Sequence, residues 1–390
     1  TKNSKLILDV NEKPKLAQWI ILALQHVFAM FGATILVPIL VNSTAGAEVL
    51  TIPVALVTSA IGTLISIICT RAKSPVYLGS SFAFIAPIAA GYAKGGVAGA
   101  MTGIMIVGII YVIFSIIIRL IGKEWIHKIL PPVVIGPMIM IIGLGLAPNA
   151  ISQIGLSSDT QLEWKGVIVA LITFLTTALI MVRGKGFLKI IPFLIGIIVG
   201  YISAICFGLV DFQPILNAAF FSIPKFSIPF LNYTPSFAAA LTIAPVALVT
   251  IAEHIGDHTA LSAIIGKDLL KNPGLDKTLL GDGLATFVAG LLGGPANTTY
   301  GENTGVLELN TSVVGMTKIA SVWVIGLAAI FAICLGFLGK FTAIVSTIPN
   351  CVLGGVSLLL YGFIAVNGLK VLIENKIDFG KNKNVILASS

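Results

Sequence analysis

Two acids stand where a charged side chain is expensive. Glu253 follows the apolar run Pro245-Val-Ala-Leu-Val-Thr-Ile-Ala252. Glu302 sits within Pro295-Ala-Asn-Thr-Thr-Tyr-Gly-Glu-Asn-Thr-Gly305. A buried carboxylate in so apolar a setting needs a partner or a water-lined cavity. One reading makes Glu253 a clamp between two helices. The other makes both acids acceptors for a polar ligand, and the presence of a second acid favours it. Asp257 follows Glu253 by four residues and shares its helical face. Two acids so placed do not both ionise easily, so one holds its proton more tightly. Proton coupling requires such a group; a solvated Asp257 at the cytoplasmic edge is the alternative. His26, within the first apolar run, needs a hydrogen-bond partner, and one near Glu253 would tune it. His254 adjoins Glu253 but points about 100° away on a helix, so no cooperation between them is assumed. Asp282 either caps its helix or joins this network.

Positioning these groups calls for broken helices. If a short strand ends near Gly301 and a helix starts there, that helix presents free backbone N–H groups. The stretch Tyr77-Leu-Gly-Ser-Ser-Phe-Ala-Phe-Ile-Ala-Pro87 offers the same at Ser81 and Phe82. Donors from two half-helices, with acceptors from Glu253 and Glu302, suit a ligand whose N–H and C=O groups alternate, such as an amide-like heterocycle. A simple anion does not fit, because two carboxylates repel it. Phe82, Tyr300 and Tyr361 are candidate pocket walls and Ala33 a point of close approach, although each aromatic could equally be packing.

The rest of the chain supplies a membrane. Of 390 residues, 57% are hydrophobic and only 10% charged, against roughly 25% charged in ordinary soluble domains. Runs such as 101–121 and 319–338 lack acids and are long enough to cross the hydrocarbon core as helices. Twelve apolar segments can be marked, near 17–41, 50–69, 76–93, 97–121, 129–150, 166–183, 187–210, 236–256, 278–294, 296–311, 317–339 and 342–366. A polar tail follows, with a short apolar stretch from Val385. Residues 1–15 are polar and lead into a span too long for the core of a cleavable signal.

With the N-terminus in the cytoplasm and every segment crossing, all but Lys94, Lys165, Lys225 and Lys340 of the 24 basic residues fall on the cytoplasmic side. That bias supports both the count and the orientation. It also places the net charge of +8 in short loops, which argues against a nucleic-acid partner. Cys69, Cys206, Cys334 and Cys351 have no metal-ligand spacing and read as packing residues. No cofactor is implied. No HExxH, Gly-x-Ser-x-Gly or phosphate-binding loop appears, so an enzyme is not expected.

Segments 76–93 and 296–311 are short and rich in Gly, Ser, Thr or Pro. Each begins about 60 residues after the start of an earlier span, the first and the eighth. Paired interrupted segments in two halves point to inverted repeats with a site between them. Seven spans per half would invert the second copy. The first half closes near residue 210, and residues 211–235, with several prolines and aromatics, read as an ordered extracellular loop.

Four motifs, Gln25-His-Val-Phe-Ala-Met-Phe-Gly-Ala-Thr34, Gly79-Ser-Ser-Phe-Ala-Phe84, Ala252-Glu-His-Ile-Gly256 and Asn297-Thr-Thr-Tyr-Gly-Glu-Asn303, resemble those of the bacterial uracil permeases of the nucleobase–ascorbate transporter family. The resemblance runs from about Pro14 to the last residue. It implies an all-α polytopic protein of two inverted seven-span repeats, with the last two spans beyond residue 390. It implies a cytoplasmic N-terminus (1–16), a core domain (17–121 and 236–339) and a gate domain (122–210 and 340–390). It implies proton–uracil symport across the inner membrane, and a homodimer. Carried over, Glu253 and Glu302 would hold the ring N–H groups, and the backbone N–H groups of Phe82 and Gly301 the carbonyls. Tyr300, Ala33 and Tyr361 would line the pocket. Glu253, Asp257, His26 and Glu302 would serve proton coupling. Asp257 departs from the histidine of the uracil permeases and resembles the purine-transporting branch. Glu302 points back to uracil, since that branch usually carries glutamine there. A xanthine or purine permease is therefore the alternative, and an anion exchanger or channel of the same fold a more distant one.

Overall fold

The computed structural model describes residues 6–126, 131–156, 163–189, 191–304, 314 and 319–389, without the side chains of 302 and 304. In chain order the principal elements are α1 (Leu16–Ala45), α2 (Ile52–Cys69), β1 (Leu78–Ser80), α3 (Ile85–Ile121), α4 (Pro132–Gly145), α5 (Trp164–Arg183), α6 (Pro192–Cys206), α7 (Val246–Ile265), α8 (Leu275–Leu292), β2 (Asn297–Thr299), α9 (Val322–Gly336) and α10 (Asn350–Glu374). Among the described residues six helices are long and apolar enough to span a membrane, and a seventh span forms if Phe237–Ile243 and α7 count together across a 46° bend. The protein is a helical, multi-pass membrane protein.

Two compact units emerge. One comprises Thr1–Gly122, Lys185–Ile191 and Asn217–Val345; the other comprises Lys123–Gly184, Pro192–Leu216 and Ser346–Ser390.

The first unit is organised around two three-residue strands. β1 and β2 pair antiparallel, with Leu78 opposite Thr299 and Ser80 opposite Asn297. Tyr300 N–H donates to the Tyr77 carbonyl and Ser81 N–H to the Ala296 carbonyl, both at 2.9 Å, so the ladder is closed at each end. Every strand residue is buried. Extended backbone in a membrane protein must find its partners within the protein, and here each strand supplies the other. Prolines at 75 and 295 precede the strands and bias the chain away from helix there. Two threonines anchor the strand starts. Leu78 N–H donates to Thr63 Oγ1 of α2 at 2.9 Å, and Asn297 N–H donates to Thr286 Oγ1 of α8 at 3.2 Å.

The long helix α3, preceded by the 3-10 turn Phe82–Phe84, is two helices. It breaks at Gly95 and Gly96, where Gly96 takes φ 61° and ψ −158°, a combination that side chains disfavour. This agrees with separate segments at 76–93 and 97–121. Farther along, α3 lies against α8 with almost no space between backbones. A Cβ on Gly108 would come 2.7 Å from the Gly283 carbonyl oxygen, and one on Gly283 would come 2.8 Å from Tyr111 Cβ. Small residues at such crossings let membrane helices approach closely.

Two boundaries differ from the sequence reading. α7 continues to Ile265 instead of ending near 256, because its later polar residues Asp257 and His258 turn into the protein and Ser262 is half-buried. The segment placed at 342–366 divides at Pro349 into Gly339–Ser346 and α10. Of the segment at 296–311, residues 305–311 lie outside the described residues.

Residues 211–235 are ordered. They contain the short helix Gln213–Asn217 and, in the first unit, an antiparallel bridge from Phe221 to Leu338. The N-terminal residues form a strap that the sequence did not announce. Ala320 N–H donates to the Leu8 carbonyl and Val322 N–H to the Val10 carbonyl. Lys13 lies 4.3 Å from the Trp19 ring centroid and 5.6 Å from that of Trp323, within cation–π range.

In the second unit α10 packs on α4, α5, α6 and the short helix Ala147–Ile154. Here too glycine allows the approach, since a Cβ on Gly143 would meet the Tyr361 carbonyl oxygen at 2.6 Å.

Candidate functional site

The strand pair brings the ends of two broken helices together. The Phe82–Phe84 turn begins two residues after β1, and the helical turn Gly301–Thr304 begins two residues after β2. Helix α7 packs against both turns and against β2, and α1 packs against β1 and the second turn. Glu253, Asp257, His26, Ala33, Phe82, Tyr300, Gly301 and Glu302 therefore all belong to the first unit. The Glu302 side chain lies outside the described residues. Tyr361 belongs to the second unit, where it is buried within α10.

Helix α7 separates its polar residues by face. Glu253 and Gly256 are exposed, whereas His254, Asp257, His258 and Leu261 are buried. This corrects two expectations. Glu253 is not buried; it stands on the exposed face of its helix. Asp257 is not a solvated edge residue but is 4% exposed. The cause is helical geometry: an offset of four residues rotates the side chain by about 40°, enough to carry Asp257 across the edge of the packed face. Asp257 and Glu253 both act electrostatically on Tyr111 of α3.

His26 has a definite partner. Asn303 Nδ2 donates to His26 Nδ1 at 2.9 Å and to the His26 carbonyl oxygen at 3.1 Å. The carbonyl can only accept, which orients the amide nitrogen towards α1. His26 Nδ1 is then an acceptor, and the neutral ring carries its hydrogen on Nε2. His26 thus fixes the turn that carries Glu302. Sequence reasoning missed Asn303, although its place next to Glu302 was a signal.

Tyr300 is buried, and its hydroxyl donates to the Ser80 carbonyl at 3.0 Å and lies 3.1 Å from Thr34 Oγ1. A Cβ on Gly79 would collide with the Tyr300 ring, so glycine is required for this packing. The tyrosine ties β1 to α1. Ala33, buried on α1 beside Thr34, gives no bulk to that contact. Phe82 is half-buried at the first turn.

A second group of polar residues lies on the packed face. His254 Nδ1 is 2.7 Å from Asp282 Oδ2, with both side chains buried. His254 Nε2 is 3.0 Å from Thr278 Oγ1, and Thr299 Oγ1 of β2 lies 3.5 Å from Asp282 Oδ2. Asp282 therefore joins a network instead of capping α8. The 28 residues that separate it from His254 hid the pairing from sequence reading. No cluster of three or more potential metal ligands occurs among the described residues.

Residues 17–390 match the model of the permease family. The chain belongs to that family. It is 46% identical to the uracil permease of Bacillus subtilis (strain 168), over 99% of this chain and 87% of that protein. It is 42% identical to the uracil permease of Escherichia coli (strain K12), over 98% of this chain and 85% of that protein. Among solved structures, the transmembrane domain of the cyanobacterial bicarbonate transporter BicA superposes with a TM-score of 0.64 at 17% identity, covering 97% of this chain and 95% of that one. Murine Solute Carrier 26 family member A9, an anion transporter in the inward-facing state, superposes with a TM-score of 0.67 at 13% identity, covering 96% of this chain and 64% of that one. At such identities these two structures establish a shared fold alone. Permeases are transporters, so the site serves binding and passage instead of bond chemistry.

Proposed function

We propose that this permease is a proton-coupled uracil symporter of a bacterial inner membrane, with its N-terminus in the cytoplasm. The observation that carries the reading is the convergence on one strand pair of two helix starts and of the helix bearing Glu253. Backbone N–H groups of Phe82 and Gly301 donate to the two ring carbonyls. The carboxylates of Glu253 and Glu302 accept from the two ring N–H groups. Uracil alternates these groups around its rim, and a site with fixed donors and acceptors rejects analogues that leave one of them unpaired. Tyr300 and Ala33 complete the walls within the first unit, with Tyr300 also holding the strands. His26 positions Glu302 through Asn303, and Asp257 supports the exchange of protons. The similarity to the uracil permeases named above supports this substrate.

The units correspond in this reading to a core and a gate, and transport proceeds by alternating access in a scaffold of two inverted seven-span repeats. The matching threonine anchors, Thr63 of α2 holding β1 and Thr286 of α8 holding β2, support a repeat relation between the two strand segments. A homodimer is the assembly proposed. Competition between labelled uracil and unlabelled xanthine during uptake tests the substrate, and a preference for xanthine would sink the uracil assignment. Glu253→Gln should abolish accumulation that depends on a pH gradient; full dependence in that variant would remove Glu253 from the coupling role.

The second reading, a xanthine or purine permease, draws on Asp257, which resembles that branch and lies buried next to the substrate-facing side of α7. Anion exchange remains the weakest, since a ligand negative at pH 7 would meet two carboxylates.

A further inference from the structure

The packed face of α7 holds more titratable groups than substrate binding uses. His258 Nδ1 is 3.0 Å from the carbonyl oxygen of His254, so that nitrogen must carry the hydrogen. Its Nε2, 3.3 Å from Ser74 Oγ, then accepts in the neutral ring. The two imidazole centroids lie 4.1 Å apart with the rings tilted by 34°, and this closeness discourages charge on both. His254 differs from His258. Its Nδ1 meets Asp282, and its Nε2 meets Thr278 Oγ1, which also lies 3.2 Å from the Leu275 carbonyl oxygen. Thr278 has a single hydroxyl hydrogen. When it goes to Leu275, His254 Nε2 must donate, the ring is a cation, and the pair with Asp282 is neutral. When it turns to Nε2, the ring is neutral and the pair carries one negative charge. One hydroxyl rotation thus satisfies both states without moving a heavy atom.

A merely structural aspartate at this depth would be expected to use both oxygens. Asp282 Oδ1 is buried with no hydrogen-bond partner among the described residues. The titratable groups around the pair are Glu253, Asp257 and His258 on α7, Tyr111 on α3 and Cys69 on α2, the last two within the field of Asp282. We propose that His254 and Asp282 form a proton-loading site of the transport cycle, which takes up one proton at His254 Nε2 and changes the charge behind the substrate carboxylate Glu253. This rests on the proton-coupled reading above and adds a second place for the coupled proton.

The test uses the purified full chain in liposomes that enclose a pH-sensitive dye. Two readouts are compared: exchange of labelled for unlabelled uracil, which needs no net proton movement, and proton entry with uracil accumulation under an imposed pH gradient. His254→Gln and Asp282→Asn should keep exchange but lose about tenfold of the gradient response, the scale of a typical coupling free energy. Asp282→Glu should restore the response. A variant that keeps the parent's gradient response overturns the proposal. So does a variant that loses exchange and proton entry in equal proportion, which is what a structural pair would give. A parent protein that carries uracil without proton entry refutes coupled transport itself, and that failure shows in a different arm. Nitrogen-15 spectra of the labelled parent protein provide a readout that needs no variant. The His254 Nε2 hydrogen should leave as the buffer passes from acid to alkaline, and its retention throughout would also overturn the proposal.

Discussion

Removing the Asn303 amide isolates one hydrogen-bonded link between the broken helix and the rest of the site. Asn303 is buried and donates twice to His26, at 2.9 Å to Nδ1 and at 3.1 Å to the carbonyl oxygen. In Asn303→Leu both contacts go. The carbonyl is a mid-helix acceptor and keeps the N–H four residues on, so its loss is small. Nδ1 loses its donor while remaining buried, which costs about 1–3 kcal/mol. Because the turn Gly301–Thr304 is held to α1 through this link, the cost should appear in ligand affinity as well as in stability. Converted at about 1.4 kcal/mol per tenfold, uracil binding should weaken by roughly 5- to 150-fold. Asn303→Asp is nearly isosteric but has no N–H to offer the His26 carbonyl, so it should not rescue binding. Equilibrium binding of labelled uracil to purified protein, beside thermal unfolding, measures both effects. If Asn303→Leu binds uracil as tightly as the parent and melts at the same temperature, the link does not position Glu302 and the reasoning fails.

Thr63→Val and Thr286→Val should each leave a buried strand N–H without its acceptor, at about 1–3 kcal/mol; similar losses of melting temperature would support equivalence of the two strand segments, and a large inequality would oppose it. The strap should respond to acid. Asp9 is held below the usual carboxylate range by its hydrogen bonds from Lys267 and from Val10 N–H. Its contribution is therefore full above the unfolded carboxylate pKa and is lost as pH falls through the lower folded value. Both side chains of the Asp9–Lys267 pair are well exposed, so the effect is worth under about 1 kcal/mol. Protection factors for hydrogen exchange of residues 6–13, with the intrinsic rate at each pH divided out, should fall in acid in the parent, and Asp9→Asn should flatten that dependence.

The strand–helix junctions were legible because proline, glycine, serine and threonine interrupt apolar runs there. Local composition was enough for that. What composition could not supply was the direction each α7 side chain faces. Hydropathy ended the helix near 256 because Asp257, His258 and Ser262 read as polar, yet these residues continue the helix on its packed face. The same limit concealed Asn303 with His26, separated by 277 positions, and the strap, whose partners lie 258 or more residues away. Such links are set by packing among elements, for which a single sequence has no local signature.

The two faces of α7 make one last prediction separable from packing. Glu253 and His254 are consecutive, one exposed and the other buried, so their side chains cannot share a hydrogen-bonding cavity, and any coupling between them must travel as charge. At an effective dielectric of about 20, unit charges about 4–8 Å apart interact by on the order of 2–4 kcal/mol. In a double-mutant cycle, Glu253→Gln, His254→Gln and the double variant should show a coupling energy in that range when uracil binding is measured in acid, where the His254–Asp282 pair is loaded. In alkaline buffer, with the pair unloaded, the neutral ring leaves no charge for His254→Gln to remove, so the coupling should shrink towards zero. A purely steric relation would give the same coupling at both pH values. That outcome would confine His254 to holding α7 against α8, whereas a pH-dependent coupling would tie the substrate face to the proton face of a single helix.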